Sequence, residues 1–255
     1  MTGIRFDEAG LELGGRTILQ PLSLLAGAGE LIALAGPNGA GKSSLLRLAA
    51  GLLPPGRGAV ELDGQAVNGL APRDRARQIA YLPAESREAW PLDVQSLVAL
   101  GRIPFRKPLR RLSEADEAAI ASAMQRAGVT AFASRRIDTL SSGERARVHL
   151  ARMLATQAPV LLLDEPTAAL DLKHQLAVMD IVAAEARAGR LVIMALHALD
   201  LAARHADRVV LMQEGQIHAD APPDKALSEE NIRAVFGVEA PGGIRASVLK
   251  PAGPD

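Results

Sequence analysis

Residues 36–43 read Gly36-Pro37-Asn38-Gly39-Ala40-Gly41-Lys42-Ser43 and fit the spacing G-x-x-x-x-G-K-[ST]. Glycines at these positions let a loop curl until successive backbone N–H groups point inward, which suits the β- and γ-phosphates of a nucleotide. An apolar run, 31–35, precedes the loop, and Ser44-Leu45-Leu46-Arg47 continues it as a helix. The loop therefore sits between a strand and the positive end of a helix, where an anion is stabilised. Lys42 would neutralise phosphate charge, the Ser43 hydroxyl would ligate Mg²⁺, and Ser44 opens the helix beside them.

A second constellation lies at 160–166, Val160-Leu161-Leu162-Leu163-Asp164-Glu165-Pro166. The continuous apolar run predicts a strand buried on both faces, and open α/β sheets bind ligands at the carboxyl ends of such strands. Asp164 is placed to hold the Mg²⁺ shell. Glu165, one residue on and directed differently, is placed to polarise an attacking water as general base.

Elements must bring these pieces together. Buried-strand patterns recur at 31–35, 160–164 and 191–196, shorter strand-like stretches at 4–7, 59–62 and 78–82, and turns at 54–58 and 62–64. From about 83 to 151 the pattern turns helical, at 94–100, at 113–127 and after Gly143, with Ser113-Glu114-Ala115-Asp116 as a capped start. A further helix is expected at 229–236, followed by a Pro- and Gly-rich tail.

The composition excludes several function classes. The 255 residues are 48% hydrophobic, enough to bury a substantial core as one domain or a domain with a subdomain. A net charge of +0 disfavours a nucleic-acid partner, and the arginines of 106–111 have no aromatic platform among them. Without cysteine there is no disulfide framework, thiolate metal site or thiol nucleophile. No apolar run approaches the ~18 residues of a membrane span.

Between the two constellations, Leu140-Ser141-Ser142-Gly143-Glu144 opens an amphipathic stretch that runs to Ala155. This resembles the LSGGQ signature of ATP-binding cassette (ABC) ATPases, with Ser142 for the first glycine and Glu144 for glutamine. Ala168-Ala169-Leu170-Asp171 is similar to the family's D-loop, and His197, after the run 191–196, to its switch histidine that bonds the γ-phosphate. The resemblance implies an α/β fold, a P-loop NTPase core with a mixed sheet, as one nucleotide-binding domain over 1–255 with a helical subdomain inserted at 83–151. It also implies ATP and Mg²⁺ as ligands. The functional form would be a head-to-tail homodimer in which Ser141, Ser142, Gly143 and Asp171 serve the ATP held by the other copy. His149, His174, His205 and His218 match no motif and are given no role.

The stretch 90–104, Trp90-Pro91-Leu92-Asp93-Val94 onward, and Ala234-Val235-Phe236-Gly237-Val238 resemble ATPases of ferric-siderophore, haem and vitamin B12 importers. That implies an ATP-hydrolysing subunit on the cytoplasmic side of the inner membrane, bound to transmembrane permease subunits and served indirectly by a periplasmic substrate-binding protein. Two departures stand out. Leu13 occupies the place of the aromatic residue that stacks on adenine, and Ala84, in Leu82-Pro83-Ala84-Glu85-Ser86, the place of a glutamine that reaches Mg²⁺ and water. Glu85 and Ser86 are the nearest substitutes. Ala84 keeps a second class open, an ABC-type conformational switch in a non-transport complex with weak hydrolysis.

Overall fold

The computed structural model describes residues 2–84, 92–106, 111–168 and 170–245. The first part of the chain holds β1 (Gly3–Leu13), β2 (Arg16–Gly27), β3 (Leu31–Ala35), α1 (Lys42–Ala49), β4 (Arg57–Leu62), β5 (Gln65–Ala66), α2 (Pro72–Gln78) and β6 (Ile79–Leu82). Three helices follow, α3 (Val94–Ala99), α4 (Glu114–Arg126) and α5 (Ser142–Ala155), then β7 (Val160–Asp164), α6 (Leu172–Arg187) and β8 (Leu191–Ala195). The chain continues through α7 (Leu199–His205), β9 (Arg208–Gln213), β10 (Gln216–Ala221), α8 (Pro223–Ala226) and α9 (Glu229–Phe236).

All five residues of β3, β7 and β8 are buried, as expected of strands covered on both faces. They form the centre of a six-stranded sheet ordered β10-β9-β3-β8-β7-β6, parallel except for β10. Register aligns Leu34 with Ala195 and Ala195 with Asp164. The loops leaving β3, β7 and β8 therefore start level, on one edge of the sheet. That edge is where the phosphate loop, the carboxylates and His197 must meet.

Alternation splits the core. Ile32, Leu34, Leu162 and Ile193 face α1 and the antiparallel sheet β2-β1-β4-β5, while Ala33, Leu161, Leu163 and Met194 join the cluster holding the apolar residues of α3 to α7. The helices between β6 and β7 carry their own ties. Ser113 caps α4 through a reciprocal box with Asp116. The buried Asp116 accepts from Arg102 at 2.8 Å, which holds its carboxyl below the usual carboxylate range. Arg126, at the end of α4, donates to both oxygens of the buried Glu185 on α6, at 2.7 and 2.9 Å, and so pins the helices to the sheet layer.

Several elements exceed the sequence reading. The strand expected at 4–7 continues to Leu13, through bulges near Ala9 that break the two-residue alternation. β2 is hidden because Pro21 interrupts it and Leu25, 65% exposed, spoils its polar face; as an edge strand it tolerates the missing N–H. α2 buries no residue and so shows no apolar stripe. β9 and β10 join through Glu214-Gly215, both at positive φ, a hairpin turn that the sequence reading passed over. Glu85, Ser86, Trp90, Pro91 and Ala169, together with 107–110 of the arginine-rich segment, lie outside the described residues.

Candidate functional site

The phosphate loop is shaped by two contacts a side chain would prevent. Gly36, at φ 146°, passes so close to the Met212 carbonyl that a Cβ would overlap it; Gly41, at φ 100°, would bring a Cβ to 2.5 Å from Leu19. Gly41 also caps α1 without any side-chain hydrogen bond, so the first-turn N–H groups of α1 meet no capping side chain. Asn38 and Gly39 form the exposed crest of the loop, with Pro37 and Ala40 at its flanks. Lys42 is 5% exposed, and its Nζ donates to the carbonyls of Gly36 at 2.8 Å and Pro37 at 3.0 Å. Burial pushes its pKa down, opposed by the charges of Glu165 and Asp164.

Across the sheet edge, the Ser43 hydroxyl donates to Asp164 Oδ1 at 2.8 Å. The structure thus brings together the two residues expected to hold the metal. One hydroxyl and one carboxylate are hard oxygen donors of the kind Mg²⁺ takes when phosphates and waters complete its shell. Among the described residues no cluster of three or more His, Cys, Asp or Glu could hold a metal ion.

Tyr81 joins this pair, although nothing in the sequence reading singled it out. It lies on β6 beside Leu162 of β7, and its hydroxyl donates to Asp164 Oδ2 at 3.2 Å. Burial pushes the phenol pKa up, with the Arg47 bond opposing. The only local trace of it is a tyrosine in the otherwise aliphatic run Ile79-Ala80-Tyr81-Leu82, which does not say what the hydroxyl bonds.

Glu165 departs from the strand at φ 51°, a conformation uncommon for a residue with a side chain. Its N–H donates to the Ala195 carbonyl at 3.2 Å, and its Oε1 lies 2.6 Å from His197 Nε2. The strained backbone turns Glu165 away from Asp164 and onto His197, so the two neighbouring carboxylates serve different partners. Beside Glu165 lies a cavity of about 180 Å³, lined among others by Ala84, Ser142, Arg145 and His149. His149, given no role from sequence, is thus 7% exposed on the wall of the Glu165 cavity.

The second expected group begins on the far wall of that cavity, which Ser142 lines together with Glu165. Ser141 caps α5: its Oγ accepts from Glu144 N–H at 3.3 Å, and Glu144 Oε2 accepts from Ser141 N–H at 2.8 Å. That exchange explains why glutamate replaces glutamine at 144, since either residue completes a capping box. Ser141 and Ser142 are exposed and Gly143 is buried against the His174 ring. Asp171 caps α6, accepting at Oδ1 from His174 N–H at 2.9 Å and lying 2.7 Å from the ring Nδ1, bonds that hold its pKa down. His174, also passed over in the sequence, therefore connects two motif residues. Leu13 ends β1 at the hairpin, 45% exposed, paired with Arg16.

Comparison with known proteins gives the family of the chain. The family model described as ABC transporter matches residues 19–168. The hemin import ATP-binding protein HmuV of Nocardia farcinica is 44% identical over 234 residues, covering 92% of this chain and 81% of its own. The cobalamin import ATP-binding protein BtuD of Halobacterium salinarum is 42% identical over 233 residues, 90% of this chain and 58% of its own. In fold, the chain is similar to a solved inward-facing ABC transporter of metal-chelate type, with a TM-score of 0.82 at 24% identity over 94% of this chain and 90% of that one. The chain belongs to the ABC transporter family and is one of its ATPases.

Proposed function

We propose that this chain is the ATP-hydrolysing subunit of a membrane importer for haem, a corrinoid or an iron–siderophore complex. The observation that carries hydrolysis is the set of contacts at the sheet edge: Ser43 on Asp164, His197 on Glu165, and Lys42 inside the loop. The names of relatives that match most of this chain, hemin import and cobalamin import, support the cargo class.

In this reading Gly36 to Ser44 cradle the phosphates, and Lys42 offsets their charge. Ser43 and Asp164 would hold a Mg²⁺ ion, which would supply positive charge against the phosphates. Glu165 accepts a proton from the attacking water, and His197 holds its carboxylate in place. Ser141, Ser142 and Gly143 of a second copy, with Asp171, complete the site in a homodimer, and Leu13 lies against the base. The helical segment assigned to 83–151 carries Ser141 toward that partner. ATP closes the pair, and hydrolysis reopens it.

A groove of about 310 Å³ supports the permease assignment. It runs between α2, β6, the turn 100–105 and α5, lined among others by Ala76, Leu100, Pro104, Arg152, Met153 and Thr156. A trough of this kind, apolar with Arg152 and Thr156 among its lining, suits a short amphipathic segment of the permease, which would hold the subunit on the cytoplasmic side of the inner membrane. Among the described residues no helix is long and apolar enough to cross a membrane, so attachment runs through that partner.

The test is reconstitution. The chain is co-purified with the permease encoded beside it and placed in liposomes with the cognate periplasmic binding protein. Haem, cobalamin and a ferric siderophore are then offered in turn. ATP-dependent uptake of one of them is expected; ATP turnover with uptake of none would overturn the importer reading.

A further inference from the structure

Gly143 poses a question that its backbone does not answer. It sits in the first turn of α5 with no positive φ, where alanine would favour the helix more. The space beside it gives the reason. A Cβ built there overlaps Cγ and Cδ2 of His174 and comes within 2.7 Å of Nε2. The ring is flexible neither at its base nor in direction, because Asp171 Oδ1 engages both the backbone N–H and Nδ1 of His174.

We propose that His174 is a positioning residue for the start of α5: its ring, fastened by Asp171, occupies the place of the side chain that Gly143 lacks and sets the angle at which Ser141 and Ser142 face outward. The contact joins the two ends of the site within one chain. From Glu165 the loop runs through Ala168 N–H on the Glu165 carbonyl at 3.1 Å and Leu170 N–H on the Thr167 carbonyl at 3.4 Å to Asp171. Gln175 Nε2 adds a bond to the Thr167 carbonyl at 3.4 Å.

This inference rests on the reading that Ser141 to Gly143 meet the ATP of a second copy, and its test separates the two. Four full-length proteins are compared: wild type, Gly143→Ala, His174→Ala and the double variant, each with kcat, KM, ATP affinity at low protein concentration, and melting temperature. Gly143→Ala should lower kcat by about tenfold or more with ATP affinity unchanged, because the methyl displaces the ring. In the His174→Ala background the same methyl should cost several-fold less, since the space is free, and what remains is the cost at Gly143's own place beside the second copy's nucleotide. His174→Gln, which keeps a polar reach toward Asp171 in a slimmer side chain, should recover part of the kcat that His174→Ala loses, with KM unmoved.

An equal kcat penalty for Gly143→Ala in both backgrounds would overturn the inference. The melting temperatures require no nucleotide and provide a second cycle: if Gly143→Ala fails to fold while the double variant folds, the ring is the obstacle and the proposal stands. If neither folds, it falls. Failure of the two-copy reading shows itself differently, as ATP affinity of the isolated chain dropping with any change at 141–143.

Discussion

Lys42 at the start of α1 and Ser141 at the start of α5 both stand at helix N-termini, yet the two ends are finished differently. α1 is capped by Gly41 with no side-chain hydrogen bond, and Lys42 lies 5% exposed on two loop carbonyls. α5 carries a full capping box, and Ser141 and Ser142 are exposed. The first end keeps its donors for an anion brought to it; the second has already used the Glu144 and Ser141 N–H groups on its own side chains. One half-site is thus assembled inside the chain, through contacts from Ser43, Tyr81 and His197. The other is an outward-facing edge that, under the proposed function, would act against a second copy.

The sharpest way to separate the halves is to remove the base. Glu165→Gln keeps shape and hydrogen bonding to His197 but removes basicity, so turnover should fall by a factor on the order of 10²–10⁴ while ATP still binds. With ATP and Mg²⁺, light scattering should show dimers accumulating. Turnover at the wild-type rate would refute the base assignment. Lys42→Ala acts on the same half but earlier, and should weaken ATP binding in equilibrium dialysis of the isolated chain.

The outward half is best probed at Ser141, because any side chain at Gly143 meets His174 first. Ser141→Asp preserves an N-cap residue and so the helix start, while placing an anion where a phosphate would approach. Turnover should fall about 10- to 100-fold, with ATP affinity of the isolated chain unchanged, as expected for a contact made only at dimer closure. Mixing this variant with Lys42→Ala chains should restore part of the activity, since one composite site in the mixed dimer has both halves intact. No recovery on mixing would break the division between the halves.

Legibility followed the same line. The phosphate loop and the Asp164-Glu165 pair were readable because their chemistry is confined to consecutive residues between a strand and a helix or turn, and the structure assembles them on the level ends of β3, β7 and β8. Ser141 was placed at the opening of an amphipathic stretch, and the structure makes it the cap of α5. Tyr81 and His174 were not readable, because their roles come from contacts across 83 residues to Asp164 and across the gap between α5 and α6 to Gly143. β2 escaped notice through Pro21 and Leu25, local features that an edge strand accommodates. Ala84 was read as a departure, and the structure gives it a setting, the wall of the Glu165 cavity.

That setting makes a smaller prediction. Ala84 is exposed on a cavity of about 180 Å³, so a glutamine side chain has room to extend toward Glu165 without displacing the core. Ala84→Gln should raise ATP turnover several-fold in the assembled transporter and tighten its response to cargo. If both stay unchanged, position 84 does not limit the reaction, and Glu85 or Ser86 becomes the residue to replace next.

The smallest expected effect lies at Tyr81, inside the completed half. Its hydroxyl donates to Asp164 Oδ2 while Ser43 donates to Oδ1, so the carboxylate is steered from both sides before any nucleotide arrives. Tyr81→Phe removes one of these bonds and leaves the ring packing intact. A hydrogen bond of this sort contributes about 0.5–1.5 kcal/mol net, and its loss frees Asp164 to rotate. Under the proposal that Asp164 holds Mg²⁺, the Mg²⁺ concentration for half-maximal turnover should rise about threefold, with kcat at saturating Mg²⁺ nearly constant. A titration of turnover against Mg²⁺ at fixed ATP reads this directly. An unchanged midpoint with a lowered melting temperature would make Tyr81 a support of the strand pair β6–β7 alone. A lowered kcat at saturating Mg²⁺ would instead place its hydroxyl closer to the reacting phosphate than the bond to Asp164 implies.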